Sequence, residues 1–263
     1  MPRRPRLAAM PSPTGANTAV FIHGLSDTRE VWSRQIETLS ASMNVVTYDV
    51  RGFGTSPLGT GNGTVEQLAD DLAQIISAEV TGPAWLVGFS MGGVIAQRFA
   101  LDFPTLTRGL VLIASSCTVG RAGLEFFDKR ISEVTRGGLE ALARLSANDA
   151  RGCIASEDAD LLAEYRCIRS SSVTDPNGYL NACQAMRALA DGSLAASLGQ
   201  ISCPTLVIAP ELDPYCPPKA SQMITDAIPG ATMHLVEGAG HCVHMEASAT
   251  VNELVHQFIE AHA

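Results

Sequence analysis

Residues 84–99 read AWLVGFSMGGVIAQRF, and the fold is decided there. Ala84 to Phe89 is an apolar run of strand length, and Val94, Ile95, Phe99, Leu101 and Phe103 continue as a helix that Pro104 stops. Between them lies Gly88-Phe89-Ser90-Met91-Gly92, a G-x-S-x-G string. In that setting a tight strand-to-helix turn lifts the serine hydroxyl clear of the sheet. Small residues are needed on both sides because a Cβ would collide with the strand or the helix. Gly93 lets the outgoing helix approach closely. The bare string is only moderately specific; the strand leading in and the helix leading out sharpen it.

Working outward, the same alternation recurs. Apolar runs of strand size fall at Ala19 to His23, Asn44 to Tyr48, Gly109 to Ala114, Thr205 to Ala209 and Ala231 to Val236. Thr64 to Ala78 carries Val65, Leu68, Leu72 and the Ile75/Ile76 pair at helical spacing, with Thr64 as N-cap. Strands alternating with amphipathic helices predict an α/β fold, a mostly parallel sheet covered by helices on both faces. From Cys117 to Gly199 the alternation breaks into helical stretches around Leu124 to Val134, Leu139 to Leu145, Asp158 to Ile168 and Tyr179 to Leu189. The expected organisation is therefore a core of residues 1–116 and 200–263 with a helical lid at 117–199. The alternative is an ordinary set of packing helices.

Composition narrows the class. The chain has 263 residues, 46% hydrophobic and 17% charged, too apolar for a disordered chain. Its net charge of −9 argues against nucleic-acid or anionic-membrane partners, which require a basic face. No run approaches the ~18 apolar residues that cross a bilayer, and the short apolar stretch Leu7 to Met10 falls below the ~7–15 residues of a signal peptide's apolar region, so none is expected. Seven cysteines without a C-x-x-C pair read as reduced thiols, so a cytoplasmic protein is expected.

Ligands of parallel sheets gather at the carboxyl ends of the strands. Those ends carry His23-Gly24-Leu25, Asp49 to Ser56, Ser90, Glu211-Leu212-Asp213 and Gly238-Ala239-Gly240-His241. A serine hydroxyl is a poor nucleophile without a base within reach. Of six histidines, His241 is favoured because it follows a flexible turn past the last strand, with His244 as competitor. The base needs an acceptor to fix its tautomer. Asp213 is best placed, with Glu211 as alternative; Asp49 reads as a structural loop residue with Arg51 as its charge partner. The backbone N–H groups of Leu25 and Met91 are the candidate oxyanion donors.

Taken together, His23-Gly24, Asp49 to Ser56, Gly88 to Gly93, the Asp213 loop and Gly238 to His241 followed by Glu246 resemble the α/β-hydrolase superfamily over nearly the whole chain. The resemblance implies an eight-stranded, mostly parallel sheet, a helical lid, Ser90, Asp213 and His241 as a triad, and no cofactor. Arg136-Gly137-Gly138-Leu139, Tyr179 to Cys183 and Pro204 to Ala209 look most like the 3-oxoadipate enol-lactonase-like branch. Two features depart from it: about 18 residues precede the first confident strand, which implies a shortened opening hairpin, and the only tryptophans, Trp32 and Trp85, lie outside the lid.

The expected activity is hydrolysis of a small carboxylic ester or lactone through an acyl-enzyme, acting on a small-molecule substrate. Alternatives are a C–C bond hydrolase of ring-cleavage products with the same triad, and a ligand receptor without turnover. Arg121, Lys129, Arg130 and Arg136 are candidates to bind a substrate carboxylate, against a plain reading as solvated helix faces. Cys242 reads as a small buried hydrophobe beside His241.

Overall fold

The structure is a computed structural model that describes residues 8–9, 17–172 and 174–263. Seven strands form one sheet in the order β1-β3-β2-β4-β5-β6-β7. They are β1 (Ala8–Ala9), β2 (Thr18–Ile22), β3 (Asn44–Tyr48), β4 (Ala84–Phe89), β5 (Thr107–Ile113), β6 (Thr205–Pro210) and β7 (Thr232–Val236). β2 to β7 are mutually parallel, and only β1 runs antiparallel, against β3. Where the family resemblance implied eight strands, the described residues hold seven, β1 being Ala8–Ala9; the rest of the expected opening hairpin lies outside the described residues.

The helices are α1 (Ser33–Leu39), α2 (Val65–Glu79), α3 (Met91–Asp102), α4 (Arg121–Cys153), α5 (Ala159–Ser172), α6 (Pro176–Ala188), α7 (Ser193–Ser197), α8 (Pro218–Ala227), α9 (Val243–Glu246) and α10 (Ser248–Ala261). Successive strand residues point to opposite faces, so each strand feeds two cores. Val20, Ile22, Leu86, Leu110 and Val207 pack with α2, α3 and Ile224 of α8. Ala19, Phe21, Trp85, Val111 and Ile208 pack with Trp32 and with Val251, Val255 and Ile259 of α10. All residues of β4 and β6 are buried, which explains why they read as unbroken apolar runs. At α2 the predicted cap is present: Thr64 Oγ1 accepts from the Gln67 N–H at 3.2 Å.

Between β5 and β6 the chain makes only helices among the described residues. α4 is interrupted at Gly138, whose φ of 55° and ψ of −138° leave the helical region. That break matches the two helical stretches read from the sequence. The segment joins both cores: Val134, Leu142 and Tyr179 pack with the first, Ala150, Leu161 and Tyr165 with the second.

Candidate active site

The turn between β4 and α3 holds Ser90 at φ 52° and ψ −116°, a strained backbone for a residue with a Cβ. Its surroundings enforce it. The Ser90 N–H donates to the Ile113 carbonyl at 2.9 Å, and Ser115 Oγ donates to the Ser90 carbonyl at 2.8 Å. A Cβ on Gly88 would meet the Gly92 carbonyl, and one on Gly92 would meet the Ile22 carbonyl. Both glycines are therefore required by close backbone approach.

Two loops from the far half of the sheet reach this turn. His241 Nε2 lies 3.1 Å from Ser90 Oγ, and His241 Nδ1 lies 2.7 Å from Asp213 Oδ2. With Nδ1–H donating to the carboxylate, Nε2 is left to accept the serine proton. Asp213 Oδ1 is held by the N–H groups of Tyr215 and Cys216, at 2.8 and 2.9 Å. Asp213 and His241 are both buried, at 4% and 6% exposure. Burial pulls the His241 pKa down, but the charge and hydrogen bond of Asp213 outweigh it and leave the imidazole above its ordinary value.

The competing candidates have other partners. Glu211 caps the Gly238 N–H at the surface. His244 sits in α9 with its ring 4.3 Å from Phe89 and 4.7 Å from Trp32, and burial lowers its pKa to about 3. His23 donates from Nδ1 to the Gly24 carbonyl and accepts the Val50 N–H at Nε2, both at 2.8 Å, which ties the Leu25 loop to the end of β3. Glu246 accepts from the N–H groups of Ala155, Ser156 and Gly240, so it fastens the His241 loop to the α4–α5 junction. Asp49 is a structural loop residue as expected, held by Arg29 N, Thr55 N and Thr55 Oγ1. The expected Asp49–Arg51 pair is corrected: Arg51 turns to α2 and pairs with Asp71. Asp49 already receives three local hydrogen bonds, and the guanidinium finds a bidentate partner on the helix.

Ser90, Met91, Leu25 and His241 open onto one cavity of about 750 Å³. Met91 is the first residue of α3, where a backbone N–H has no intrahelical acceptor. The apolar lining includes Phe89, Val94, Phe126, Phe127, Met186 and Leu189. Neither tryptophan lines it; Phe89, the α4 residues Phe126 and Phe127, Tyr165 and Tyr215 supply the aromatic surface. None of the four cations proposed from the sequence reaches it. Arg121 pairs with Glu125 and Lys129 with Glu133 at the surface, Arg136 bonds Ser132, and Arg130 is bound to Asp149 at 2.5 Å.

Instead the cavity has a polar wall of Asp27, Asp149, Tyr165 and Arg169 that sequence reading missed. One signal was available. Leu161, Tyr165 and Arg169 recur every fourth residue and are all buried, the i, i+4 spacing of one helix face. Cys153 also lines the cavity, while Cys242, fully buried, does not. Among the described residues, Asp213, Cys216 and His241 are the one group close enough to share a metal ion. Asp213 and His241 already engage each other and Ser90, and burial with the Asp213 charge raises the Cys216 thiol, so these atoms are poor free ligands.

Comparison with known proteins follows the same lines. A family model described as "Alpha/beta hydrolase family" matches residues 19–254. The chain is 27% identical over 94% of its length to a protein of Pantoea ananatis named "Putative carbamate hydrolase RutD", covering 90% of that protein. It is 27% identical to 3-oxoadipate enol-lactonase 2 of Acinetobacter baylyi, over 90% of this chain and 86% of the relative. Among solved structures, a thermophilic esterase from Thermogutta terrifontis superposes with a TM-score of 0.84 at 26% identity, covering 98% of this chain and 94% of the esterase. The parallel sheet, the strained serine turn at its edge and the family match over most of the chain lead to one conclusion: this chain is a hydrolase of the α/β-hydrolase family, with enol-lactonases among its relatives.

Proposed function

We propose that the chain hydrolyses a small carboxylic ester or lactone through an acyl-enzyme on Ser90. The observation that carries this reading is the hydrogen-bonded chain Ser90 Oγ, His241 and Asp213 at the end of a largely apolar cavity. His241 Nε2 takes the hydroxyl proton as Ser90 Oγ attacks the carbonyl carbon. The oxyanion is received by the N–H groups of Leu25 and Met91. Collapse of the tetrahedral species breaks the bond to the leaving oxygen, which takes the proton from His241. Water, activated by the same imidazole, then releases the acid and restores Ser90. Asp213 holds the tautomer and stabilises the imidazolium, so the side chains supply nucleophile, base and acid without a cofactor. Residues 117–199 serve as the lid that walls this cavity from water.

The substrate is a small molecule because the cavity volume lies in the ~300–1,000 Å³ range of such sites. Carbamates, which the Pantoea relative's name places on that protein, present the same carbonyl chemistry and belong in the assay panel. The seven unpaired cysteines fit a reducing, cytoplasmic setting.

The test is turnover of p-nitrophenyl acetate and of a simple lactone by the wild type and by Ser90→Ala. The variant is expected to lose ~10⁴–10⁶ in kcat. Equal rates for the two proteins on a confirmed substrate defeat the proposal. Turnover confined to coloured dienoates assigns C–C hydrolysis instead, and tight ligand binding without turnover assigns a receptor.

A further inference from the structure

The polar wall of the cavity is a hydrogen-bonded circuit that leaves one carboxylate oxygen without a donor among the described residues. Arg169 Nη1 donates to the Tyr165 hydroxyl at 2.9 Å, and that hydroxyl donates to Asp27 Oδ1 at 3.0 Å. Arg169 lies 3.6 Å from Asp27 and 3.7 Å from Asp149, and Asp149 also binds Arg130. Two arginines thus face two aspartates, so the arginine charge of this wall is already matched by carboxylates; the remaining cation of the lining is Lys219 of α8, outside this circuit. The second oxygen of Asp27 is different. Asp27 is 1% exposed and lines the cavity, yet among the described residues Oδ2 has no hydrogen-bond partner.

A buried carboxylate oxygen without a donor is costly. Burial pushes the Asp27 carboxyl up, against the charge of the neighbouring Arg169 and the Tyr165 hydrogen bond. The loop holds the residue in place: Ser26 has a φ of 64°, and its carbonyl accepts from Ser172 Oγ at 2.7 Å. Oδ2 itself lies beside Gly24, in the same loop as the Leu25 N–H.

We propose that Asp27 determines specificity in this cavity, with Oδ2 accepting a hydrogen bond from an O–H or N–H of the substrate. Neutral, donor-bearing carbonyl compounds are then preferred over their alkyl and carboxylate counterparts. The inference rests on the hydrolytic reading of the cavity given above.

The near-isosteric variant Asp27→Asn is the sharpest probe. Tyr165 and Arg169 both present donors toward the Oδ1 position, so they retain the amide oxygen there. The amide NH₂ then occupies the place of Oδ2, and an acceptor becomes a donor. Six esters form the panel. They are the p-nitrophenyl esters of butyrate, 3-hydroxybutyrate, N-acetylglycine and monosuccinate, together with propyl and 2-hydroxyethyl butyrate. The readout is kcat/KM for each donor-bearing ester over its alkyl partner, divided by the same ratio in Asp27→Asn, which cancels intrinsic ester reactivity and active fraction. At least one double ratio of about ten is expected, because a hydrogen bond to a charged group is lost. The O–H and N–H members, and the acyl-side and alcohol-side members, show which donor is read.

A double ratio below fivefold for every donor-bearing ester overturns the proposal, as does a wild-type preference for the monosuccinate, which would assign recognition to Lys219 or Arg169. If Asp27→Asn does not fold by circular dichroism, Tyr165→Phe replaces it. That variant keeps the carboxylate and should hold the donor preference within fivefold of wild type. A larger loss moves recognition to the Tyr165 hydroxyl and overturns the assignment to Asp27. Failure of the wild type to hydrolyse any of the six or a simple lactone defeats the hydrolytic reading and this inference together; turnover without donor preference defeats this inference alone.

Discussion

The Ser90 turn and the helical wall of the cavity are both buried, yet they are built by different means. The turn is held by its own neighbours: the strand it leaves, the helix it starts and the adjacent strand ends all contact it through backbone atoms. The wall is assembled from residues far apart in the chain, with Asp27 meeting Tyr165 and Arg169 across some 140 positions. A site whose geometry is local can be written into a short string. One that depends on packing of separate segments leaves only scattered marks in the sequence.

Three substitutions probe this contrast beyond the assays already described, from the largest effect to the smallest. At the sheet edge, Asp213→Asn leaves the shape of the loop but removes the charge that orients His241, and kcat should fall by about 10⁴. The same variant tests the pH profile. In the proposed mechanism His241 acts as base only when neutral, so wild-type kcat/KM should rise with pH through a limb above 6.5, because Asp213 holds the His241 pKa up. Without that carboxylate the limb should move to lower pH; an unmoved limb would show that Asp213 does not set the imidazole's charge.

In the wall, Arg169→Met strips the buried cation from Asp27 and Asp149. Asp149 keeps Arg130, but Asp27 loses its cation, and leaving a buried carboxylate unpaired costs about 3–5 kcal/mol, so the midpoint of thermal or urea unfolding should drop clearly. An unchanged midpoint would mean the circuit is not holding α5 to the sheet. Arg121→Ala is the control: its side chain is 92% exposed and pairs with Glu125 on its own helix, so stability should stay within about 0.5 kcal/mol and ester kcat/KM within about twofold. A larger fall in activity would return Arg121 to the carboxylate-binding role that its position argues against.

The strands were readable because burial on both faces left unbroken apolar runs; Asn44–Tyr48 and Ala84–Phe89 match their predicted bounds. β5 starts two residues before its predicted run, at Thr107, because the polar Thr107 and Arg108 belong to the strand but break its apolar signature. His241 was separable from His244 by a loop argument, since Gly238 to Gly240 frees one ring to reach the sheet edge while α9 packs the other against Phe89. The charge partners were not readable in this way. Arg51 had two acidic candidates within reach of its loop, and the choice of Asp71 depends on where α2 lies. Each of the four cations of residues 117–199 singled out from the sequence likewise found its partner on or near its own helix.

The amino-acid sequence by itself determined the α/β order of elements, the serine turn and the strand ends from which Asp213 and His241 come. Those features follow from hydrophobic period, glycine sterics and chain connectivity, all of which act over a few residues. Only the tertiary structure decided how far apart the three side chains stand, which residues wall the cavity, and that Asp27 Oδ2 is left without a donor among the described residues. Those are properties of a packed interior, where long-range contacts choose partners and burial makes an unpaired oxygen costly.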